Sequence, residues 1–214
     1  KVTQKEIDDA CRRILEAKYK LGLFTDPFRY CNKERAANQV LSEKQKNAAR
    51  EFATKSFVLL KNNQQALPLK KTGTIALVGP LANNKANMLG TWAVSGNRDL
   101  SIPVFDGMKN LGIKEVNILY AKGANISDDT IFAKKVNVFG TRIDIDNRSA
   151  QEMMDEAIAV AKQSDVIVAV VGEASEMSGE SSSRSTLNIP KSQQKLLQEL
   201  KKINTINIIY FHRI

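Results

Sequence analysis

Asp165-Val166-Ile167-Val168-Ala169-Val170-Val171 is the stretch on which the fold turns. After the aspartate every residue is apolar and most are β-branched, which suits an extended backbone and leaves neither face for water. Such a run belongs at the centre of a sheet covered on both sides. Working outward, Ser149-x-x-Glu152 reads as a capping box that opens a helix with Met153, Met154, Ala157, Ile158 and Ala161 on one face. Downstream, Pro190 starts a helix carrying Leu196, Leu197, Leu200 and Ile203. Farther upstream, Ile75-Ala76-Leu77-Val78-Gly79 and Val116-Asn117-Ile118-Leu119-Tyr120 read as strands, with a helix over 104–111 closed by Gly112 between them. Short apolar runs alternating with helices predict an α/β fold, a largely parallel, helix-flanked sheet. The segment 123–148 reads as polar and irregular.

The N-terminal part has a different texture. Thr3-x-x-Glu6 is a second capping box, and Ile7, Cys11, Ile14 and Leu15 at helical spacing predict an amphipathic helix over about residues 4–21, stopped by Gly22. From Leu23 to Leu41 no period is clear, so 1–41 reads as a helix and linker. Ser42-x-x-Gln45 opens another helix, with Ala48, Ala49, Phe52 and Ala53 on one face, running toward Phe57-Val58-Leu59-Leu60. The α/β domain is placed over 42–214.

Composition narrows the function. The 214 residues are 43% hydrophobic and 26% charged, ordinary for a globular domain. No apolar run reaches the roughly 20 residues that cross a bilayer, and the first residues lack the apolar core of a secretory signal. Cys11 and Cys31 stand alone, without metal or redox spacing. The net charge of +9 raises nucleic acid as a partner. Its lysine pairs are scattered, however, and no aromatic residues are interleaved for base stacking, so neither nucleic acid nor membrane is expected.

Ligands of open α/β sheets gather at the carboxyl ends of the strands. The loop leaving the central strand, Gly172-Glu173-Ala174-Ser175-Glu176-Met177-Ser178-Gly179-Glu180-Ser181-Ser182-Ser183-Arg184, offers three carboxylates and an arginine among small residues. Gly179-Glu180-Ser181-Ser182-Ser183 resembles a nucleophile elbow but lacks its final glycine, and the only histidine is His212, so serine hydrolysis is not expected. Gly79-Pro80-Leu81-Ala82 lacks the glycine pattern of a phosphate loop. Asp128-Asp129 and Asp144-x-Asp146 read as solvated loop acids rather than metal ligands. A solvated turn-rich loop competes with a catalytic reading of Glu173, Glu176 and Glu180. With Met177 its only large apolar residue, the loop from about 175 to 186 has little burial to offset its ordering entropy, so poor order is expected.

Several segments, in order, resemble the glycoside hydrolase family 3 enzymes of the bacterial periplasmic β-glucosidase type. Arg13 to Phe24 with Asp26-Pro27 resembles the helix and turn leaving that family's (β/α)8 barrel. Ser56-Phe57-Val58-Leu59-Leu60-Lys61-Asn62 with Leu67-Pro68-Leu69 resembles the entry into its second domain. Ile75 to Pro80 with Leu89-Gly90-Thr91-Trp92 resembles the next strand and aromatic loop, and Tyr120-Ala121-Lys122-Gly123-Ala124-Asn125 fits the same branch. Gly172-Glu173-Ala174 through Glu180-Ser181-Ser182-Ser183-Arg184, Ile189-Pro190 and Gln193-Gln194 resemble its acid/base loop.

The resemblance implies a retaining, exo-acting β-glycosidase in which a barrel Asp is the nucleophile and a second-domain Glu the acid/base. It places that role on Glu180, with Glu176 as the fallback, and substrate contacts on Trp92 and Arg184. A core position for Trp92 is the competing reading. No cofactor and no metal are implied. The partners implied are β-linked glycosides and the barrel domain, in a periplasmic or secreted setting. The family continues past an apolar strand to Asn-Gly-Arg-Pro, whereas this sequence runs Asn207 to Ile214 and stops, so a truncated sheet is expected. A non-catalytic α/β binding module is the rival.

Overall fold

The computed structural model describes residues 1–93, 95–134, 143–180, 182–183, 185–203 and 207–213. The chain forms two compact units, Lys1–Lys61 and Asn62–Ile214. The first holds α1 (Gln4–Lys20), α2 (Lys33–Gln39) and α3 (Glu43–Ser56), so α3 groups with the N-terminal helices although the sequence placed 42 onward in the α/β domain.

Thr3 and Glu6 form the expected reciprocal box at the start of α1. At α3, Ser42 accepts from the Gln45 amide, but the Gln45 side chain turns to the Leu41 N–H rather than the Ser42 N–H. The helix α2, capped by Asn32, occupies a stretch in which no period could be read. None of the three helices buries a residue. Ile7, Ile14, Leu15 and Tyr19 of α1 and Phe52 of α3 are exposed, as are Phe57 to Leu60 after it. An apolar stripe of this extent is uncommon on a surface that faces only water.

The second unit is the expected α/β sheet. Among the described residues four strands, β1 (Gly73–Val78), β2 (Val116–Ala121), β3 (Val166–Gly172) and β4 (Asn207–Arg213), pair in the order β2-β1-β3-β4, every pair parallel. The Val166–Gly172 strand is interior and covered on both faces, as its unbroken apolar run requires. Its residues alternate between two cores. Ile167 and Ala169, with Ala76 and Val78 of β1, pack against Met154, Ala157 and Ala161 of α6 (Ala150–Lys162) and Leu196 and Leu200 of α7 (Lys191–Leu200). Val168 and Val170, with Ile75 and Leu77, face Val104, Phe105 and Met108 of α4 (Val104–Asn110).

The crossovers from β1 to β2 and from β2 to β3 therefore lie on opposite faces, and the sheet order reverses between β1 and β3. Their carboxyl ends form a topological switch point. Gly79 makes the closest approach there. It sits at φ +115°, and a Cβ on it would collide with the Val170 carbonyl, so no larger residue fits. The segment read as irregular is partly structured: α5 spans Thr130–Lys134, and Ala124, Ile126 and Ile143 are buried. Among the described residues no helix is long and apolar enough to cross a membrane.

Candidate functional site

Three loops meet at the carboxyl ends of the strands, and the sequence explains how each is held. Gln193 does most of the joining. Although polar, it lies on the apolar side of α7 with Leu196 and Leu200 and is fully buried. Its Oε1 accepts from the Gly172 N–H at 2.8 Å, and its Nε2 donates to the Gly172 and Ile126 carbonyls at 2.8 and 2.9 Å. One amide thus closes the end of β3 in the manner of a neighbouring strand and ties the loop after β2 to it.

The loop after β2 is fixed from the other side by an ion network. Arg148 donates through Nε and Nη2 to the two Asp146 oxygens at 2.9 Å each, and Nη1 reaches Glu156 at 2.7 Å. Lys122 approaches Asp146 at 3.3 Å, while the Asp146 N–H donates to Asn125 Oδ1 at 2.9 Å. The Arg148 guanidinium, followed by its backbone N–H, holds the Asp146 carboxyl well below the usual carboxylate range. Asp146, read as a solvated acid, is thus the centre of a charged clamp; Asp128, Asp129 and Asp144 are exposed as expected. No group of three or more His, Cys, Asp or Glu among the described residues could hold a metal ion.

The start of the loop after β3 is held by contacts within the chain, whereas Ser178, Glu180, Ser183, Ser185 and Thr186 are exposed and residues 181 and 184 lie outside the described residues. The Ser175 N–H donates to Oδ1 of buried Asn87 at 3.0 Å, and Ser175–Met177 closes one 3₁₀ turn. Ala174, Ser175 and Glu176 are buried. Ser182 Oγ then donates back to the Glu176 carbonyl at 2.6 Å. Contacts within the chain therefore hold these residues; small side chains can be buried without the large apolar groups that a sequence scan counts. Nothing in the sequence marked Asn87, whose signal is only an Asn-rich turn, Asn83-Asn84-x-x-Asn87, in which Asn84 Oδ1 accepts from Asn87.

The four residues singled out in the sequence separate on this scaffold. Glu180 is exposed, one residue beyond Gly179, which has φ +104° and would place a Cβ 3.0 Å from Thr91 Oγ1. Trp92, next to Thr91, is 68% exposed. The Glu180 and Trp92 loops are thus packed together through their neighbours, Gly179 and Thr91. Glu176 points elsewhere: it is 6% exposed and lines a cavity of about 630 Å³ together with residues of the loop after β2 and the start of α7. Arg184 lies outside the described residues.

Comparison with known proteins agrees with the α/β fold. Residues 57–213 match the glycosyl hydrolase family 3 C-terminal domain. The periplasmic β-glucosidase of Salmonella typhimurium is 45% identical over 94% of this chain and 27% of its own length. A β-xylosidase of Formosa agariphila is 34% identical over 92% of the chain and 25% of its length. Among solved structures, a β-glucosidase involved in saponin metabolism from intestinal bacteria superposes with a TM-score of 0.79 at 33% identity, covering 99% of this chain and 30% of that one. A mutant β-glucosidase of Listeria innocua in complex with laminaribiose gives a TM-score of 0.77 at 27% identity, over 99% of this chain and 26% of the other. The chain spans only about a quarter of the length of these relatives. With the parallel sheet, the loop after β3 and a family match over 57–213, this chain belongs to glycosyl hydrolase family 3 and carries its C-terminal α/β domain.

Proposed function

We propose that this chain is the acid/base-bearing part of a retaining, exo-acting β-glycosidase that releases terminal β-linked glucose or a similar sugar, and that Glu180 is the acid/base. The observation that supports the reading is that Glu180 is exposed on the loop leaving the central strand, beside Gly179, which packs on Thr91, with the start of that loop tied to Asn87 and Gln193. A group that must first protonate a glycosidic oxygen and then take a proton from water has to reach both, and an exposed carboxylate can. Glu176 is 6% exposed and lines the cavity beside the loop rather than open solvent, so it stays the fallback.

The nucleophile in this reading is an Asp of a barrel domain. It attacks the anomeric carbon while Glu180 donates its proton to the departing oxygen; Glu180 then deprotonates the water that releases the sugar. The two carboxyl groups must come within about 5–5.5 Å for this double displacement. Trp92 supplies an apolar platform for a sugar face and Arg184 a second substrate contact. We further propose that the exposed stripe of Ile7, Ile14, Leu15 and Tyr19 packs on the remainder of the enzyme, and that the enzyme works in the periplasm or outside the cell, as the name of the Salmonella relative suggests.

The reading is tested by exchanging these 214 residues for the matching stretch of the Salmonella β-glucosidase. The chimera should hydrolyse alkyl β-glucosides, and Glu180→Gln should lower that rate by about 10²–10⁴-fold; for activated aryl glucosides, whose departure needs little protonation, kcat/KM should be spared while kcat falls, because water attack on the glycosyl-enzyme still lacks its base. The 214-residue chain by itself should give no turnover, because an acid/base without its nucleophile forms no glycosyl-enzyme. An active chimera indifferent to Glu180→Gln, or turnover by the chain alone that depends on Glu180, would overturn it.

A further inference from the structure

We infer that the cavity of about 630 Å³ beside the loop after β3 is a binding site for a neutral pyranose ring, with Glu176 as its principal hydrogen-bond acceptor. The choice of a sugar among polyols rests on the glycosidase reading above; the site itself rests on what lines it.

Glu176 is 94% removed from water, and its Oε1 is buried with no hydrogen-bond partner. A carboxylate held this way costs free energy unless something donates to it. The side chain lines the cavity, and the terminal torsion of a glutamate is soft, so either oxygen can turn toward a ligand. The start of α7 forms another part of the wall. Pro190 caps that helix without a side-chain acceptor, so the first N–H groups, at Lys191 and Ser192, have no partner within the helix and present its positive end. Asp128 adds another carboxylate, and Phe132 supplies an aromatic face.

This mixture selects the ligand. A phosphate or carboxylate would suit the helix end but meet Glu176 and Asp128. A divalent cation would suit the acids but meet Lys191 and the helix dipole, and the acids do not converge on a common point. A purely apolar molecule would leave the Glu176 oxygen unpaired. Sugar hydroxyls each donate and accept, so one ring can give hydrogen bonds to Glu176 and receive them from α7, with its C–H face on Phe132. Every wall residue lies within the second compact unit.

The test is a titration of the 214-residue chain with methyl β-glucoside, followed by amide NMR. Saturable shifts at Ser127, Lys191 and Ser192 are expected in the millimolar range. Glu176→Ala should weaken them about tenfold, as loss of a hydrogen bond to a charged group does. Thermal stability should not fall in that variant, because the lost oxygen had no partner. Glu176→Gln, which keeps the shape, should weaken binding about threefold through loss of charge assistance. Absence of saturable shifts, unchanged affinity in both variants, or stronger perturbation of these amides by inorganic phosphate or Ca²⁺ would overturn the assignment. Chimera turnover is a separate readout: an active chimera without glucoside binding sinks the cavity alone, and binding by a chain whose chimera is inactive sinks only the glycosidase reading.

Discussion

Replacing Gln193 is the most searching perturbation of this site, because one buried amide makes three hydrogen bonds to the backbone of two loops. Gln193→Ala strands the Gly172 N–H and the Gly172 and Ile126 carbonyls where water does not reach. At about 1 kcal/mol for each bond, with a further cost for the unfilled space, the loss should be about 3–5 kcal/mol. In urea, a slope of about 2 kcal/mol/M for a domain of this size turns that into a midpoint lowered by about 1.5–2.5 M. Gln193→Glu separates hydrogen bonding from volume. Its carboxyl would keep the bond from Gly172 but turn its other oxygen to two carbonyls, so burial and repulsion both raise its pKa in the folded chain. The stability of that variant should therefore be full below the unfolded value of about 4.3 and be lost as pH rises through the raised folded value. A carboxyl pushed up by about two pH units costs about 2.7 kcal/mol at neutral pH. Far-UV circular dichroism reports the unfolding; Trp92, already exposed, is a poor probe. Exchange of the Gly172 amide gives the local readout. A loss under about 1 kcal/mol in Gln193→Ala, or a Gln193→Glu variant whose stability does not fall between acid and neutral pH, would refute the reasoning.

Asp146→Asn should cost about 1 kcal/mol at neutral pH, the modest value expected for a partly exposed pair. Because the Asp146 carboxyl titrates below its ordinary range, the advantage of the native chain should be present above pH of about 4 and fade as pH falls further; urea midpoints of both chains across acid pH check this. Gly79→Ala should cost about 2–4 kcal/mol, since it combines φ +115° with a collision against the Val170 carbonyl; a thermal midpoint within a degree or two of the native chain would contradict the geometry.

What the sequence could convey follows from which forces leave a pattern. The Val166–Gly172 strand was legible because burial on both faces removes every polar residue, and the boxes at Thr3 and Ser149 because a cap needs particular side chains at a fixed spacing. Ser42 carried the same signal, yet Gln45 found a competing donor at Leu41, a choice set by local backbone rather than spacing. The helices Lys33–Gln39 and Thr130–Lys134 are too short to show a period, and isolated residues such as Ile126 and Ile143 are buried by tertiary placement alone.

At the site, the carboxylate-bearing loop could be found, but spacing could not rank its acids. Glu176 and Glu180 lie four apart in a stretch of small residues, and either could be the proton carrier. They differ in burial, and the loop that carries them is hydrogen-bonded at its start to Asn87 and Gln193, which come from a loop and a helix remote in sequence. Gln193 did leave a trace: a glutamine three and seven residues before Leu196 and Leu200, on the apolar face of a helix. A long polar side chain on such a face must find partners inside the protein, and here the partners are the last residue of the central strand and the neighbouring loop. Polar residues that interrupt an apolar stripe near the carboxyl end of a sheet are therefore the place to look for what holds the loop that follows, because the strand there has outrun one neighbour, as β3 does β1 after Ala169, and its backbone still requires hydrogen bonds.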